Sequence, residues 1–191
     1  MKKSFLFLVL ILIVSFSLFA NTYSGRGDDV IEVSYSGTGD YVFRIKGNAS
    51  GRYFGVTGYD DYGNYVDLMV NTTDPYSGIV ADPHQEISLL EIQSSDSWTI
   101  ETLPLSSCPS VGSGQTYNGT NDAVIRVTSN GRVAAISGNY SGDYFGVWAV
   151  DSRGRQDLLV NEVDPYQGRV MLRGDIAYFI VSATGKWSIS L

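Results

Sequence analysis

One cysteine, Cys108, and one histidine, His84, are all that 191 residues offer of the two most versatile catalytic side chains. A lone thiol makes no internal disulfide, so the fold must hold without that staple, and Cys108 is either free or bonded to another chain. A Ser-His-Asp relay would have to use His84, which sits in a Pro-His-Gln turn, and no Gly-x-Ser-x-Gly elbow accompanies it. A Cys-His pair would need Cys108 to reach His84, and a zinc site would need carboxylates for its remaining ligands. A pair of carboxylates hydrolysing a glycoside is the remaining catalytic route, and no spacing marks such a pair. The expectation is a protein that is not an enzyme.

Basic charge is also scarce. Thirteen Lys and Arg face 20 Asp and Glu, for a net charge of -7. No basic cluster is present to neutralise phosphates, which argues against a nucleic-acid partner. Long helical periodicity is missing too, and the one long apolar run, 5–20, follows Lys2 and Lys3. A basic start followed by sixteen apolar-rich residues reads as an export signal over residues 1–20, and the run is short for a membrane span. Cleavage gives a secreted, extracytoplasmic protein of the periplasm or cell surface. An uncleaved segment would be its only membrane contact. Without Lys2 and Lys3 the remainder has 11 basic and 20 acidic residues, a net charge near -9.

What the chain does have is duplication. Asp-Leu-x-Val-Asn-x-x-Asp-Pro-Tyr-x-Gly occurs at 67–78 and at 157–168, with eight of twelve positions identical. Upstream, Gly-Asn-x-Ser-Gly-x-Tyr-Phe-Gly-Val occurs at 47–56 and 138–147, with eight of ten identical. Two blocks repeated in the same order define a duplicated unit.

Within each copy, short alternating runs are separated by Gly, Asn, Asp and Pro, the pattern of strands and turns. Strands are expected at 30–35, 41–46, 53–59, 65–71, 78–81, 86–92 and 98–102, and again at 123–128, 132–137, 144–150, 156–161, 169–172, 176–182 and 187–191. About seven strands per copy imply an all-β protein of two tandem antiparallel β-sandwiches, jelly-roll or immunoglobulin-like. The expected organisation is signal 1–20, first repeat 21–103, a Pro/Gly/Ser-rich linker 104–120, and second repeat 121–191. Each copy is small for an unstapled core, so the two should pack on each other.

Three groups of residues invite a functional reading. Asp74, Pro75, Tyr76 and Gly78, with Asp164, Pro165, Tyr166 and Gly168, are explained as structural turns: Pro fixes φ, Asp bonds nearby backbone, and Gly releases the chain. Asp60, Asp61, Asn64 and Asp67 form an oxygen-rich cluster that could bind calcium, although the spacing is not that of an EF-hand and Arg153 and Arg155 occupy the second copy's loop. No other cofactor is indicated. On the third strand, Phe54 and Val56 share one face; Tyr53 and Tyr59 lie on the other, as do Tyr144 and Trp148 in the second copy. Outward aromatics of this kind stack on sugar rings, or else cover a glycine and pack on a neighbour. Trp98 and Trp187 read as core or edge-packing residues. Asn48, Asn71, Asn118 and Asn139 begin glycosylation sequons.

The pattern Ser-Gly-x-Tyr-Phe-x-Val, then Asp-Leu-x-Val-Asn, Tyr-x-Gly and a late Trp-x-Ile resembles tandem β-sandwich repeat modules of secreted bacterial and archaeal proteins. The resemblance implies export and an accessory role, and it carries no catalytic residues. The function expected is a non-catalytic exported module whose partner is an extracellular glycan, held by outward aromatics. The alternative is a surface protein that works by adhesion or assembly with another protein, through sheet edges or Cys108.

Overall fold

A computed structural model describes residues 20–34, 39–129, 131–140 and 142–191, so the export-signal reading lies, but for Ala20, outside the described residues. The first unit comprises β1 (Asn21–Arg26), β2 (Asp29–Glu32), β3 (Tyr41–Gly47), β4 (Phe54–Tyr59), β5 (Tyr65–Thr72), β6 (Tyr76–Ala81), β7 (Leu89–Ser94) and β8 (Ser97–Pro104). A single 3-10 turn, Leu105–Ser107, and β9 (Ser110–Val111) lead into the second unit. That unit comprises β10 (Thr116–Thr120), β11 (Ala123–Val127), β12 (Val133–Gly138), β13 (Phe145–Asp151), β14 (Gln156–Glu162), β15 (Tyr166–Met171), β16 (Ile176–Ala183) and β17 (Lys186–Ser190).

Each unit is a two-sheet antiparallel sandwich with jelly-roll strand order. In the first unit sheet I runs β1-β8-β3-β6 and sheet II runs β2-β7-β4-β5. The second repeats this as sheet III, β10-β17-β12-β15, and sheet IV, β14-β13-β16-β11, to which β9 adds a parallel edge. The cores are built from inward residues of alternating strands: Phe54, Val56, Ile92 and Ile100 in the first unit, and Phe145, Val147, Val181 and Ile189 in the second, all at most 1% exposed.

Each sandwich has eight strands where about seven were expected. The additional ones, β1 and β10, are edge strands made of small and polar residues (Asn-Thr-Tyr-Ser-Gly-Arg and Thr-Tyr-Asn-Gly-Thr), which look like loop. Each is pinned by an indole. Trp98 lies across Gly25 and donates Nε1–H to the Gly27 carbonyl at 3.0 Å; Trp187 lies across Gly119 and donates to the Asn121 carbonyl at 2.9 Å. The expected linker 104–120 therefore ends in the first strand of the second sandwich, and residues 121–191 alone are not a whole unit. The core reading of both tryptophans agrees with their 2% exposure.

The two duplicated blocks turn out to be halves of one lock. Asn48 and Asn139 both adopt φ of 60°, in the left-handed region that Asn tolerates, and both are buried. Asn48 Nδ2 donates to the Asp74 carbonyl at 2.9 Å, and Asn139 Nδ2 to the Asp164 carbonyl at 3.0 Å. Beneath them the Phe54 and Phe145 rings pass over Gly47 and Gly138, where an added Cβ would sit 2.6 and 2.7 Å from the ring. The same rings tilt against Tyr76 and Tyr166, with centroids 6.3 and 6.4 Å apart. Thus the Gly-Asn block of each unit bolts onto its Asp-Pro-Tyr block.

The units pack on each other through a third apolar cluster. Val42, Ala81 and Leu103 from the outer face of sheet I meet Val124, Val150 and Tyr178 from the outer face of sheet IV, with Cys108 buried among them. The Ile79 amide donates to the Asp122 carbonyl across the seam at 3.1 Å.

Candidate ligand-binding cleft at the seam

Beside that apolar contact the seam opens into two adjoining cavities. One, of about 570 Å³, is lined by Leu68, Asp74, Tyr76, Asp122 and Tyr144; the other, of about 390 Å³, by Asp67, Asp82, His84, Asp122 and Trp148. Leu68, Met69, Asp122 and Ser182 belong to both walls. The cleft is thus shared by β5 and β6 of the first unit and by β13, β16 and the loop before β11 of the second.

Asp122 is its centre. Its Oδ2 accepts the Tyr76 hydroxyl at 2.6 Å and its Oδ1 accepts the Ala183 amide at 2.8 Å. Burial pushes its carboxyl above the usual carboxylate range, opposed by these hydrogen bonds, and burial with the adjacent Asp122 pushes the Tyr76 phenol up. Asp67 is also raised, first by desolvation and then by Asp82. Asp82 itself is a turn residue: it accepts the amides of His84 at 3.1 Å and Ile87 at 2.8 Å.

The aromatic floor comes from β13 and the residue just before it. Tyr144 and Trp148 flank Gly146, and a Cβ there would lie 2.7 Å from the Tyr144 hydroxyl and 2.5 Å from the Trp148 ring. Glycine is what lets both rings lie flat on the sheet. Tyr144 stays 42% exposed, and Trp148 is half-buried. Tyr53 and Tyr59 occupy the corresponding face of sheet II, away from the seam. Tyr53 covers Gly55, while Tyr59 donates its hydroxyl to Glu91 at 2.8 Å and meets Tyr65 edge-on at 6.5 Å. The four aromatics therefore form two separate surfaces, and one of them borders the cleft.

The oxygen-rich cluster does not converge. Asp60 Oδ1 accepts the amides of Tyr62 at 2.9 Å and Asn64 at 2.8 Å, and its Oδ2 accepts Asn64 Nδ2 at 2.9 Å. These bonds, the Asn64 side chain foremost, hold the Asp60 carboxyl below the usual range. Asp151 closes the matching loop with the Arg153 and Arg155 amides and the Arg155 guanidinium. Asp61 is exposed on the loop, while Asp67 faces the cleft. Among the described residues no group of three or more His, Cys, Asp or Glu side chains is arranged to hold a metal ion.

In the Asp-Pro-Tyr blocks, Tyr76 and Tyr166 fold back over Gly78 and Gly168, and the Asp74 and Asp164 backbone carbonyls receive the buried asparagines. Tyr76 has the added task of reaching Asp122, which Tyr166 does not share. Cys108 is 3% exposed, and burial pushes its thiol up to about 11. The intermolecular disulfide expected as one route to assembly is therefore closed to it in the folded protein, because the sulfur lies inside the seam.

Asp122 escaped the sequence reading. A third repeated block marks it: Tyr-x-Gly-x-x-Asp-x-Val-Ile-x-Val occurs at 23–33 and 117–127. Asp28, the counterpart, accepts the Ser94 amide at 2.8 Å as Asp122 accepts Ala183.

No protein-family model matches the chain, and no curated protein matches it. Among solved structures it is similar to the regulatory subunit of a cAMP-independent protein kinase A from Trypanosoma cruzi bound to guanosine, at 9% identity and a TM-score of 0.26, over 90% of this chain and 71% of that one. It is similar to the corresponding subunit from Trypanosoma brucei at 10% identity and the same TM-score, over 90% of this chain and 73% of that one. At that score neither fold nor ligand carries over.

Proposed function

We propose that this is an exported, non-catalytic binding module, akin to the tandem repeat modules of secreted proteins, that holds a carbohydrate in the seam cleft. The observation that supports the reading is the pairing of Tyr144 and Trp148 around Gly146 at the edge of a cleft that also carries Asp67 and Asp74 of the first unit and Asp122 of the second. A sugar presents an apolar ring face to aromatic rings and hydroxyls to carboxylates, so this mix of surfaces suits it. A non-catalytic role is supported by the engagement of the central carboxylate: Asp122 is spent on Tyr76 and Ala183.

The test is retention of residues 20–191 on a panel of glycans and cell-wall polysaccharides, with and without EDTA. Wild type is expected to be retained, Tyr144→Ala and Trp148→Ala to lose retention, and Trp148→Phe to keep most of it. EDTA is expected to change nothing. Equal retention of the alanine variants, or a blank panel with wild type, would sink the reading. Because Trp148 is half-buried, the exposed Tyr144 variant decides if Trp148→Ala lowers the melting temperature.

A further inference from the structure

The repeat gives most seam residues, Leu103 and Cys108 excepted, a counterpart in the other copy. Register fixes the pairs: Thr57 lies opposite Glu91 as Trp148 lies opposite Ile180, and Val42 lies opposite Ala81 as Val133 lies opposite Met171. On this basis Val30 is the counterpart of Val124, Glu91 of Ile180, Val133 of Val42, Met171 of Ala81 and Arg169 of Ile79.

Much of each half of the seam therefore occurs a second time, and among the described residues it is more exposed there. Val124 is 0% exposed but Val30 is 63% exposed on the outer face of sheet II. Val42 and Ala81 are 1% and 8% exposed, but Val133 and Met171 are 38% and 70% exposed on the outer face of sheet III. A cavity of about 790 Å³ lined by Asp28, Val30, Tyr53 and Glu91 lies where the first unit would receive an edge like the one the second unit receives. Gly154 rests against the Pro83 carbonyl and His84 across the seam, whereas its counterpart Gly63 has open space.

The differences between the faces are complementary. Ile79 and Ile180 both pack into the seam cluster. Their counterparts on the outer faces of sheets III and II are Arg169 and Glu91, an apolar pair exchanged for an opposite-charge pair. Arg173, 78% exposed, takes the place of Pro83, and on the opposite face Asp61 stands beside Gly63.

We infer that copies of this chain associate head to tail, the outer face of sheet III of one docking on the outer face of sheet II of the next and repeating the internal seam. Such a contact is heterologous, so it propagates into a ring or filament and does not stop at a symmetric dimer. With charges in place of the isoleucines, it weakens as salt is added.

The test is the mass of residues 20–191 over a concentration series, by sedimentation velocity and light scattering, at about 0.05 M and about 0.5 M salt. Mass is expected to rise with concentration beyond a dimer at low salt and to fall back at high salt. Arg169→Glu and Glu91→Arg, each alone, are expected to move the association midpoint to at least about tenfold higher concentration. Mixing the two variants in equal amounts should restore assembly, because each then offers a face the other accepts. A wild type monomeric throughout, single variants that assemble unchanged, a limit at two copies, or a mixture that does not recover would each overturn the proposal. Arg169 is exposed and Glu91 is half-buried, where it accepts the Tyr59 hydroxyl, so matching melting temperatures verify that the variants are folded.

Discussion

Replacing Asn48 with alanine removes the bolt between the two duplicated blocks of the first unit, and its cost can be worked from the contacts. The side chain is 0% exposed. Its Nδ2 donates to the Asp74 carbonyl at 2.9 Å and to the Arg52 carbonyl, and its Oδ1 accepts the Arg52 amide at 2.7 Å. Arg52 is exposed, so its groups recover water, and roughly one net hydrogen bond, about 1 kcal/mol, is lost there. The Asp74 carbonyl under the lock loses its partner for about another 1 kcal/mol. Alanine at φ of 60° adds about 1 kcal/mol more, which glycine would not. The expected loss is about 3 kcal/mol for Asn48→Ala and about 2 kcal/mol for Asn48→Gly, or melting shifts of roughly 6–12 °C and 4–8 °C for a chain of this length. Calorimetry together with urea titration measures both. A loss below about 1 kcal/mol for alanine, or a glycine variant less stable than the alanine one, would refute the lock.

Asp122→Asn tests the buried carboxylate. Its folded pKa is raised above the unfolded value, so between the two the folded protein binds more protons and stability falls as pH rises. Asparagine keeps an acceptor for the Ala183 amide and does not ionise. Relative to wild type it should gain stability as pH rises above about 4, and a constant difference between pH 3 and 7 would contradict the assignment. Truncation tests the unit boundary: a fragment 110–191 should fold with a cooperative melt below that of the whole chain, whereas 121–191, lacking β10 over Trp187, should not melt cooperatively. Equal behaviour of the two fragments in near-ultraviolet circular dichroism would argue against a structural role for β10. In a glycosylating host, the folded secreted fraction should carry no glycan on Asn48 or Asn139, whose amides are committed to Asp74 and Asp164, and peptide mass mapping reads this directly.

Fourteen of the strands were legible because alternation of apolar residues against a core is written in side-chain hydrophobicity. β1 and β10 were not, since an edge strand of Thr, Ser, Asn and Gly carries its information in what covers it. Gly25 and Gly119 make sense only once Trp98 and Trp187 lie across them. Tyr144 and Trp148 were correctly placed on an outward face by the period of two. That the face meets the other unit goes with Ile180 standing at the seam where Glu91 stands in the first copy, and periodicity within one copy does not register it. Asp60 and Asp67 were grouped by proximity in sequence, yet the hairpin turns one carboxylate into its own loop and carries the other to the seam.

The lock between the Gly-Asn and Asp-Pro-Tyr blocks has a consequence during folding. Both copies use the same parts, with the same geometry, so in the unfolded chain Asn48 meets two equally suitable carbonyls, those of Asp74 and Asp164, and Asn139 meets the same two. Local contact favours the correct choice, because the native partner lies 26 residues from Asn48 and 25 from Asn139. When two chains are crowded together that advantage shrinks, and each lock becomes a site where strands of neighbouring molecules can be exchanged. Duplication has given this protein interchangeable fastenings, and chain connectivity is what keeps each in its own sandwich.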